Sequence, residues 1–196
     1  TSDRFGNAGK AYFFAGNAKI TASDNQLPMG NSARTISLWI SFQERQILNG
    51  GGPNAAHLYK YGTENSTNNC NVGIWGNNLR VSNWSSSPDP DFTYYHPVDE
   101  WFNIIIRINE NNLLQYFING QLSYTLDFEI WNTQGNGTQV LGEFLVNGKL
   151  DEVRVYNRAL CDAEISQLYT AEAPLPQINL GQGLVAYYPF DGGTND

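Results

Sequence analysis

Apolar and polar residues alternate along several stretches of the chain. In Thr35–Phe42 every second residue is apolar, which predicts a strand with one face on a hydrophobic core. Trp39 falls on the opposite face, where it is expected to pack under a loop or to line a binding groove. Trp101–Asn109 repeats the pattern, but Trp101 and Ile105 give its second face apolar character as well. This stretch is therefore predicted to be a central strand.

Turn residues and one helix complete the local pattern. Asn119-Gly120 lies between two alternating stretches, and both residues tolerate the positive φ angles of a tight hairpin turn. The pattern predicts a single helix, Ala163–Tyr169, which Asp162 can cap. Shorter strands, separated by stretches rich in Gly, Asn, Ser and Pro, are predicted at Ala11–Phe14, Ala18–Thr21, His57–Tyr61, Asn71–Trp75, Leu79–Trp84, Thr138–Leu141 and Leu150–Tyr156. Many short strands with few helices predict an all-β sandwich or barrel.

The stretch Gly148–Tyr169 reads as a strand, a turn and the helix, and it contains a carboxylate in an unexpected place. Strand alternation puts Asp151 on one face together with Val153 and Val155. The opposite face then holds Leu150, Glu152, Arg154 and Tyr156. An unpaired charge on a half-buried face is costly, so Asp151 needs a partner. An arginine, backbone N–H groups or a calcium ion would each serve.

Four blocks of sequence, taken in order, resemble the laminin-G-like (concanavalin A-like) domains of bacterial surface and secreted proteins. They are Gly9–Gly16 (GKAYFFAG), Thr35–Ile40 (TISLWI), Trp101–Leu122 (from WFNIIIRI to YFINGQL) and the closing strand within Gly148–Tyr169. The resemblance spans residues 1–170. It implies an all-β fold, a two-sheet antiparallel jelly-roll sandwich with one short C-terminal helix. It says little about a ligand, because one fold hosts many functions.

The C-terminal part of the chain has a different character. Residues 171–182 contain Pro174 and Pro176 and are predicted to be an extended linker. Residues 183–196 resemble the way in which domains of this family begin. We expect Gly183–Phe190 to form a strand that completes the sandwich, and the alternative is that it starts a following repeat. The chain is accordingly interpreted as a piece of a larger protein.

Composition and charge restrict the classes of partner. The formal net charge of −8 argues against nucleic acids and anionic membranes as partners. No apolar run approaches the ~20 residues of a membrane-spanning helix, so membrane insertion is not expected. A secreted or cell-surface location, next to neighbouring domains of a larger protein, fits this composition. Cys70 and Cys161 allow one disulfide bond or two free thiols.

Catalytic signals are weak. His57 and His96 lie outside any recognisable nucleophile or metal motif. The nearest pair of carboxylates, Asp151 and Glu152, consists of adjacent residues whose side chains point to opposite faces of a strand. Such a pair cannot flank a glycosidic bond. The chain is therefore predicted not to be an enzyme, and a polysaccharide-active domain is the less favoured alternative.

Calcium is the one cofactor that the resemblance implies, in a structural role. The candidate ligands are Asp151, in the closing strand, and Asp191 and Asp196, in the C-terminal stretch. Carboxylate oxygens are the ligands that calcium prefers. The alternative for Asp151 is a cap or a salt bridge, for example to Arg34 or Arg158.

Aromatic residues suggest a carbohydrate site. Exposed rings stack on the C–H faces of sugars, and neighbouring amides bind hydroxyl groups. The stretch Trp84–Pro97 reads as a long aromatic loop, and the predicted ligand-binding residues are Trp75, Trp84, Tyr94 and Tyr95. Trp101 and Trp131 are further candidates, and for any single ring core packing is the alternative. The predicted function is a carbohydrate-binding or adhesion module that recognises cell-surface glycans. A structural spacer or oligomerisation domain without a ligand is the alternative.

Overall fold

Two antiparallel sheets face each other and one helix follows them. The computed structural model describes residues 1–44, 56–64, 68–75, 78–82, 91–127, 131–145 and 147–174. In chain order the elements are β1 (Tyr12–Phe14), β2 (Ile20–Ala22), β3 (Arg34–Phe42), β4 (Ala56–Gly62), β5 (Asn69–Trp75), β6 (Asn78–Ser82), β7 (Asp91–Thr93), β8 (Trp101–Ile108), β9 (Leu113–Ile118), β10 (Gln121–Asp127), β11 (Gln139–Glu143), β12 (Gly148–Tyr156) and α1 (Asp162–Glu172).

Each sheet has six strands, and the strand order differs from the chain order. The first sheet runs β1-β12-β3-β8-β9-β10, and the second runs β2-β11-β4-β5-β6-β7. The predicted all-β, two-sheet antiparallel jelly-roll sandwich with one short C-terminal helix is confirmed. The core fills the space between the sheets with inward-facing side chains from both, among them Ile36, Leu38, Ile104, Ile106, Val72, Ile74, Leu79 and Val81.

The strongest sequence patterns correspond to strands at the centre of the first sheet. β3 and β8 match the two alternating stretches that were predicted, and residues 34–41 of β3 pair with the whole of β8. The predicted hairpin turn joins β9 to β10, with φ of 50° at Asn119 and 74° at Gly120. β7 was missed, because it lies inside the stretch Trp84–Pro97 that was predicted to be a loop. A strand of three residues is too short to show an alternating pattern.

A β-bulge in β12 changes which side chains face the core. The ladder between β12 and β3 is shifted between Asp151 and Arg154, so one residue is inserted there. Glu152 has a φ of 48°, in the left-handed region, and its side chain is exposed. Beyond the bulge, Val153 and Val155 pack against the core, whereas Asp151 lies on the outer face. The prediction that Asp151 shares a face with the two valines was wrong, because the extra residue interrupts the alternation.

The helix α1 covers the outer face of the first sheet. Its residue Ile165 is fully buried in a small cluster with Ile105 of β8, Phe117 of β9 and Leu160 of the preceding turn. The apolar second face predicted for β8 is therefore explained by the helix that packs on it. Trp39, on the outer face of β3, lies under the same helix and is 1% exposed.

The two ends of α1 differ from the prediction. The N-cap residue is Cys161. Its backbone N–H donates a hydrogen bond to Glu164 Oε2 at 2.8 Å, so a side chain of the first helical turn accepts the hydrogen bond of this backbone donor. Asp162 does not cap the helix but is its first residue, and it pairs with Arg107 at 2.7 Å. At the other end the helix continues to Glu172, into the stretch predicted to be a linker.

The two cysteines are far apart in the fold. Cys70 lies on β5 in the core between the sheets, and Cys161 is exposed beside α1 on the outer side of the first sheet. Both thiols are free, so the disulfide that the sequence allowed is not formed here. Burial raises the pKa of the Cys70 thiol, which keeps it protonated.

Candidate functional site

The outer face of the second sheet carries polar side chains and is here called the polar face. Inward-facing residues of its strands, such as Leu58 and Val72, belong to the core. The residues between them therefore point outward, and they bring together His57, Lys60, Asn71, Trp75, Arg80 and Glu143 from β4, β5, β6 and β11. The antiparallel register fixes their neighbours, because His57 pairs with Gly73 and Gly73 pairs with Arg80.

Trp75 is held in a defined position on the polar face. Its ring lies over Gly73, where an added Cβ would come within 2.5 Å of the ring, so only glycine leaves room for it. The His57 ring meets the indole edge-on at a centroid distance of 5.5 Å and an interplanar angle of 88°. The Arg80 guanidinium lies 5.1 Å from the centroid of the indole. Trp75 remains half-buried, so part of its ring stays accessible.

His57 is a structural neighbour of Trp75 rather than an acid–base group. Its Nδ1 lies 2.6 Å from Asn71 Nδ2 and accepts a hydrogen bond from that amide. Burial lowers the pKa of His57, with the charge of Lys60 acting in the same direction. The imidazole is therefore neutral at physiological pH. Among the described residues, Asn71 Oδ1 is a buried acceptor without a hydrogen-bond partner.

Charged residues line a cavity of about 190 Å³ at the side of the polar face. Lys60 forms ion pairs with Glu64 and Glu143, and Lys19 Nζ lies 2.7 Å from Glu143 Oε1. Burial opposes the ionisation of Glu143, but hydrogen bonds from Lys19 and Lys60 outweigh it and lower its pKa. The charges of this cluster neutralise one another, which is typical of a structural network rather than a site for a charged ligand.

The predicted aromatic residues separate into two groups. Tyr94 points inward and packs on Phe92 at 6.0 Å and on Phe102 at 5.6 Å, and burial raises its pKa. Tyr95 is 66% exposed. Both residues follow β7, which ends at Thr93, and the backbone N–H of His96 donates to Tyr94 O at 2.9 Å, so the chain turns at the exposed Tyr95. Trp84 lies outside the described residues.

A row of side chains, Trp75, Asn78 and Thr93, crosses three strands of the polar face, and together with Tyr95, which follows β7, it is here called the aromatic row. Trp75 of β5 pairs with Asn78 of β6, and Asn78 pairs with Thr93 of β7. Thr93 Oγ1 donates a hydrogen bond to Asn78 Oδ1 at 3.0 Å, so both side chains lie on the same face. The register therefore groups one aromatic ring, an amide and a hydroxyl group at one end of the sheet, and the exposed ring of Tyr95 follows Thr93 by two residues.

Sequence reasoning identified part of this arrangement. Trp75 and Tyr95 were predicted, whereas Arg80, Asn71 and Thr93 were not. Alternation along β5 and β6 was the signal that could have found Asn71 and Arg80. Of the two further candidates, Trp131 is 1% exposed and belongs to the core. Trp101 is half-buried at the start of β8, in the other sheet.

Asp151 lies on the outer face of the first sheet, away from the polar face. Its Oδ2 accepts a hydrogen bond from Arg4 Nη1 at 2.6 Å, and its Oδ1 accepts one from the backbone N–H of Glu152 at 2.9 Å. The expected partner is thus an arginine together with a backbone N–H, although the arginine is neither Arg34 nor Arg158. Burial raises the pKa of Asp151, and the charge of Arg4 opposes the increase only in part.

This environment does not fit calcium at Asp151. Calcium takes about 6–8 oxygen ligands, and both oxygens of Asp151 already accept hydrogen bonds. Within the described parts of the chain, no three or more His, Cys, Asp or Glu side chains are grouped as a metal site requires. The other predicted ligands, Asp191 and Asp196, lie outside the described residues, and calcium binding by them stays a prediction.

Comparisons with solved structures reveal a shared fold. The receptor-binding domain of botulinum neurotoxin C/D mosaic serotype superposes with a TM-score of 0.67 at 15% identity, covering 83% of this chain and 43% of that one. The serotype G binding domain gives 0.65 at 15% identity, covering 84% and 47%. The binding domain of botulinum neurotoxin DC, in complex with rat synaptotagmin II, gives 0.60 at 17% identity, covering 78% and 40%. At these identities the likeness shows the fold alone.

The chain spans less than half the length of these neighbours. In the described part of the chain, no helix has the length and apolar character that crossing a membrane requires. No curated protein sequence matches the chain. A family model described as the concanavalin A-like lectin/glucanases superfamily matches residues 14–166, which confirms the resemblance found in the sequence. The chain belongs to the concanavalin A-like lectin/glucanases superfamily.

Proposed function

We propose that this chain is a non-catalytic carbohydrate-binding module of a secreted or cell-surface protein, and that it binds through the aromatic row. The observation that carries the proposal is the register of β5, β6 and β7. It places Trp75, Asn78 and Thr93 side by side, next to the exposed Tyr95. Aromatic rings stack on the C–H faces of sugars, and amide and hydroxyl groups exchange hydrogen bonds with sugar hydroxyls.

The properties of the chain favour a neutral glycan over a charged one. The net charge of −8 repels anionic ligands at long range, and the cationic side chains Lys19 and Lys60 are engaged with carboxylates. Gly73 and His57 already hold Trp75 in one orientation, so this side chain loses little conformational entropy when a ligand binds. The structural neighbours are receptor-binding domains, which supports a cell-surface partner.

A glycan array followed by calorimetric titration with the best-binding oligosaccharide tests the proposal. We expect Trp75→Ala and Tyr95→Ala each to weaken binding about tenfold, the change that corresponds to ~1.4 kcal/mol. Leu122→Ala is the matched control, because Leu122 is 52% exposed on β10, in the other sheet, and its loss should leave affinity unchanged. Tyr94→Ala is not a suitable probe, since Tyr94 packs against the core and its loss is expected to lower stability.

Three outcomes would contradict the proposal. An array without any binding, together with concentration-dependent self-association, would favour the structural spacer or oligomerisation domain. Hydrolysis of a polysaccharide would favour the enzyme. Binding that survives both Trp75→Ala and Tyr95→Ala would place the site elsewhere on the molecule.

A further inference from the structure

The first sheet has an incomplete edge. β1 pairs only with Gly148–Leu150, the first part of β12. From Asp151 to Tyr156, β12 pairs with β3 on one side, and among the described residues it has no ladder partner on the other side. Backbone N–H and C=O groups along such an edge can accept another strand. These residues of β12 are also at least partly exposed, so the described parts of the chain leave this edge accessible.

An apolar slot opens between the two sheets at the same edge. It has a volume of about 270 Å³ and is lined mainly by apolar side chains: Tyr12, Phe14, Ile20, Leu141, Leu150 and Val153. An aromatic residue of its lining is accessible, since Tyr12 is 67% exposed. The edge, the slot and the exposed ring of Tyr12 together form a surface suited to a short apolar strand.

The chain leaves α1 close to this slot. The backbone carbonyl of Glu172, the last residue of α1, accepts a hydrogen bond from Arg4 Nε. The same guanidinium donates through Nη1 to Asp151 Oδ2 at 2.6 Å, and Asp151 borders the slot. One arginine side chain therefore bridges the end of the helix and the edge of β12.

The sequence beyond the helix contains a segment of matching character. Gly183–Phe190 lies outside the described residues, and in its sequence every residue from Leu184 to Tyr188 is apolar or aromatic, while Pro189 restricts such a strand to a sheet edge. The stretch from Pro174 to Gly183 spans ~30 Å when extended, which is ample for the distance bridged by Arg4. A short tether gives an effective concentration in the millimolar range, which favours docking within the same molecule.

We propose that Gly183–Phe190 of the same chain pairs along the open edge of β12, with Leu184, Ala186 and Tyr188 filling the apolar slot. This surface lies between the sheets at the edge formed by β1 and β12, and the proposal does not depend on carbohydrate binding. The segment would cover the exposed ring of Tyr12 and protect the edge against association with other chains.

Hydrogen exchange of the full chain tests the proposal. We expect the amides of β12 between Glu152 and Tyr156 that do not bond to β3 to be protected in the wild type. The double variant Leu184→Asp/Tyr188→Asp should raise their exchange rate about tenfold and lower the Tm by roughly 4 °C. The matched control is Val185→Asp/Tyr187→Asp, which adds the same charge to the opposite face of the segment and should have a smaller effect.

The outcomes separate the alternatives. Unprotected edge amides in the wild type would overturn the proposal without any variant, and so would equal effects of the two double variants. Protection that depends on protein concentration, with a dimer in light scattering, would overturn the intramolecular assignment and indicate exchange of the segment between copies.

Discussion

The outer faces of the two sheets each carry a tryptophan, and the two rings differ in how far they are covered. Trp39 of β3 lies under α1, stacks on Tyr169 at 5.7 Å and donates from Nε1 to Glu172 Oε2 at 2.8 Å. Trp75 of β5 is held by His57 and Arg80 and remains half-buried. What decides whether an outward-facing ring stays accessible is therefore the element that covers it, since both residues are tryptophans on the outer face of their sheets.

The carboxylates of the two faces differ in the same way. The outer face of the first sheet, together with the helix α1 that packs on it, is here called the covered face. There, burial raises the pKa values of Asp151 and of Glu172 in α1, although arginines and Trp39 partly oppose the increase. On the polar face, burial of Glu143 is outweighed by two lysines and its pKa is lowered. At neutral pH the ionised forms of Asp151 and Glu172 therefore lower the free energy of unfolding, whereas the ionised form of Glu143 raises it.

The largest expected effect comes from removing the covered tryptophan. Trp39→Ala should lower the free energy of unfolding by about 3–5 kcal/mol, because it leaves a cavity under α1 and deprives Glu172 of a hydrogen-bond donor. Trp75→Ala should cost much less, about 1 kcal/mol, because Trp75 is half-buried. Denaturant titration of both variants measures the difference, and equal losses would show that the two faces are packed alike.

A smaller contrast is expected between the ion pairs of the two faces. Arg4 and Asp151 have side chains only 5% and 9% exposed, so Arg4→Met should cost about 3 kcal/mol by leaving a buried carboxylate unpaired. Lys19 is 45% exposed, so Lys19→Met should cost less than about 1 kcal/mol. Combining Arg4→Met with Asp151→Leu should recover stability. If the double variant is no more stable than Arg4→Met alone, the charge of Asp151 is not the cause.

The smallest and most specific contrast is in pH dependence. The folded-state pKa of Glu172 is raised, so wild-type stability falls as pH rises from its unfolded pKa through its folded pKa, and Glu172→Gln should remove this decrease. The folded-state pKa of Glu143 is lowered, so its contribution is present above its unfolded pKa and lost as pH falls through the folded pKa. Glu143→Gln should therefore destabilise at neutral pH and have little effect in acid.

Unfolding free energies measured from about pH 3 to about pH 7 check the signs. For each variant, the difference in unfolding free energy from the wild type is plotted against pH, and we expect the slopes for Glu172→Gln and Glu143→Gln to have opposite signs. Slopes of the same sign would contradict the claim that ionised carboxylates destabilise the covered face and stabilise the polar face.

The sequence was sufficient to predict an element where its pattern runs through a whole strand or consists of a specific turn signal. β3 and β8 were predicted because alternation runs through the whole strand, and the hairpin because Asn119-Gly120 is a specific turn signal. The bulge at Glu152 could not be predicted, since one inserted residue leaves no mark in composition and the left-handed conformation of a glutamate is uncommon.

The candidate site was only partly predictable for a related reason. Tyr94 and Tyr95 have the same side chain, and only the pairing of the short strand β7 decides which of them faces the core. The partner of Asp151 is Arg4, near the other end of the chain, and no local pattern connects the two. Interactions of this kind depend on topology, which the family resemblance supplies and spacing does not.

The position of β12 has a consequence for the synthesis of the protein. β3 is the centre of the first sheet, yet one of its two neighbours is formed by residues that follow it by roughly 100 positions, or about 10 s of translation. During that time the edge of β3 leaves unpaired backbone N–H and C=O groups that later residues of the same chain will pair with. The hydrogen bonds from Arg4 to Asp151 and to the backbone carbonyl of Glu172 can both form only when α1 has left the ribosome. Native structure in the first sheet is thus completed after translation of the helix, and chaperone binding before that point would protect the β3 edge.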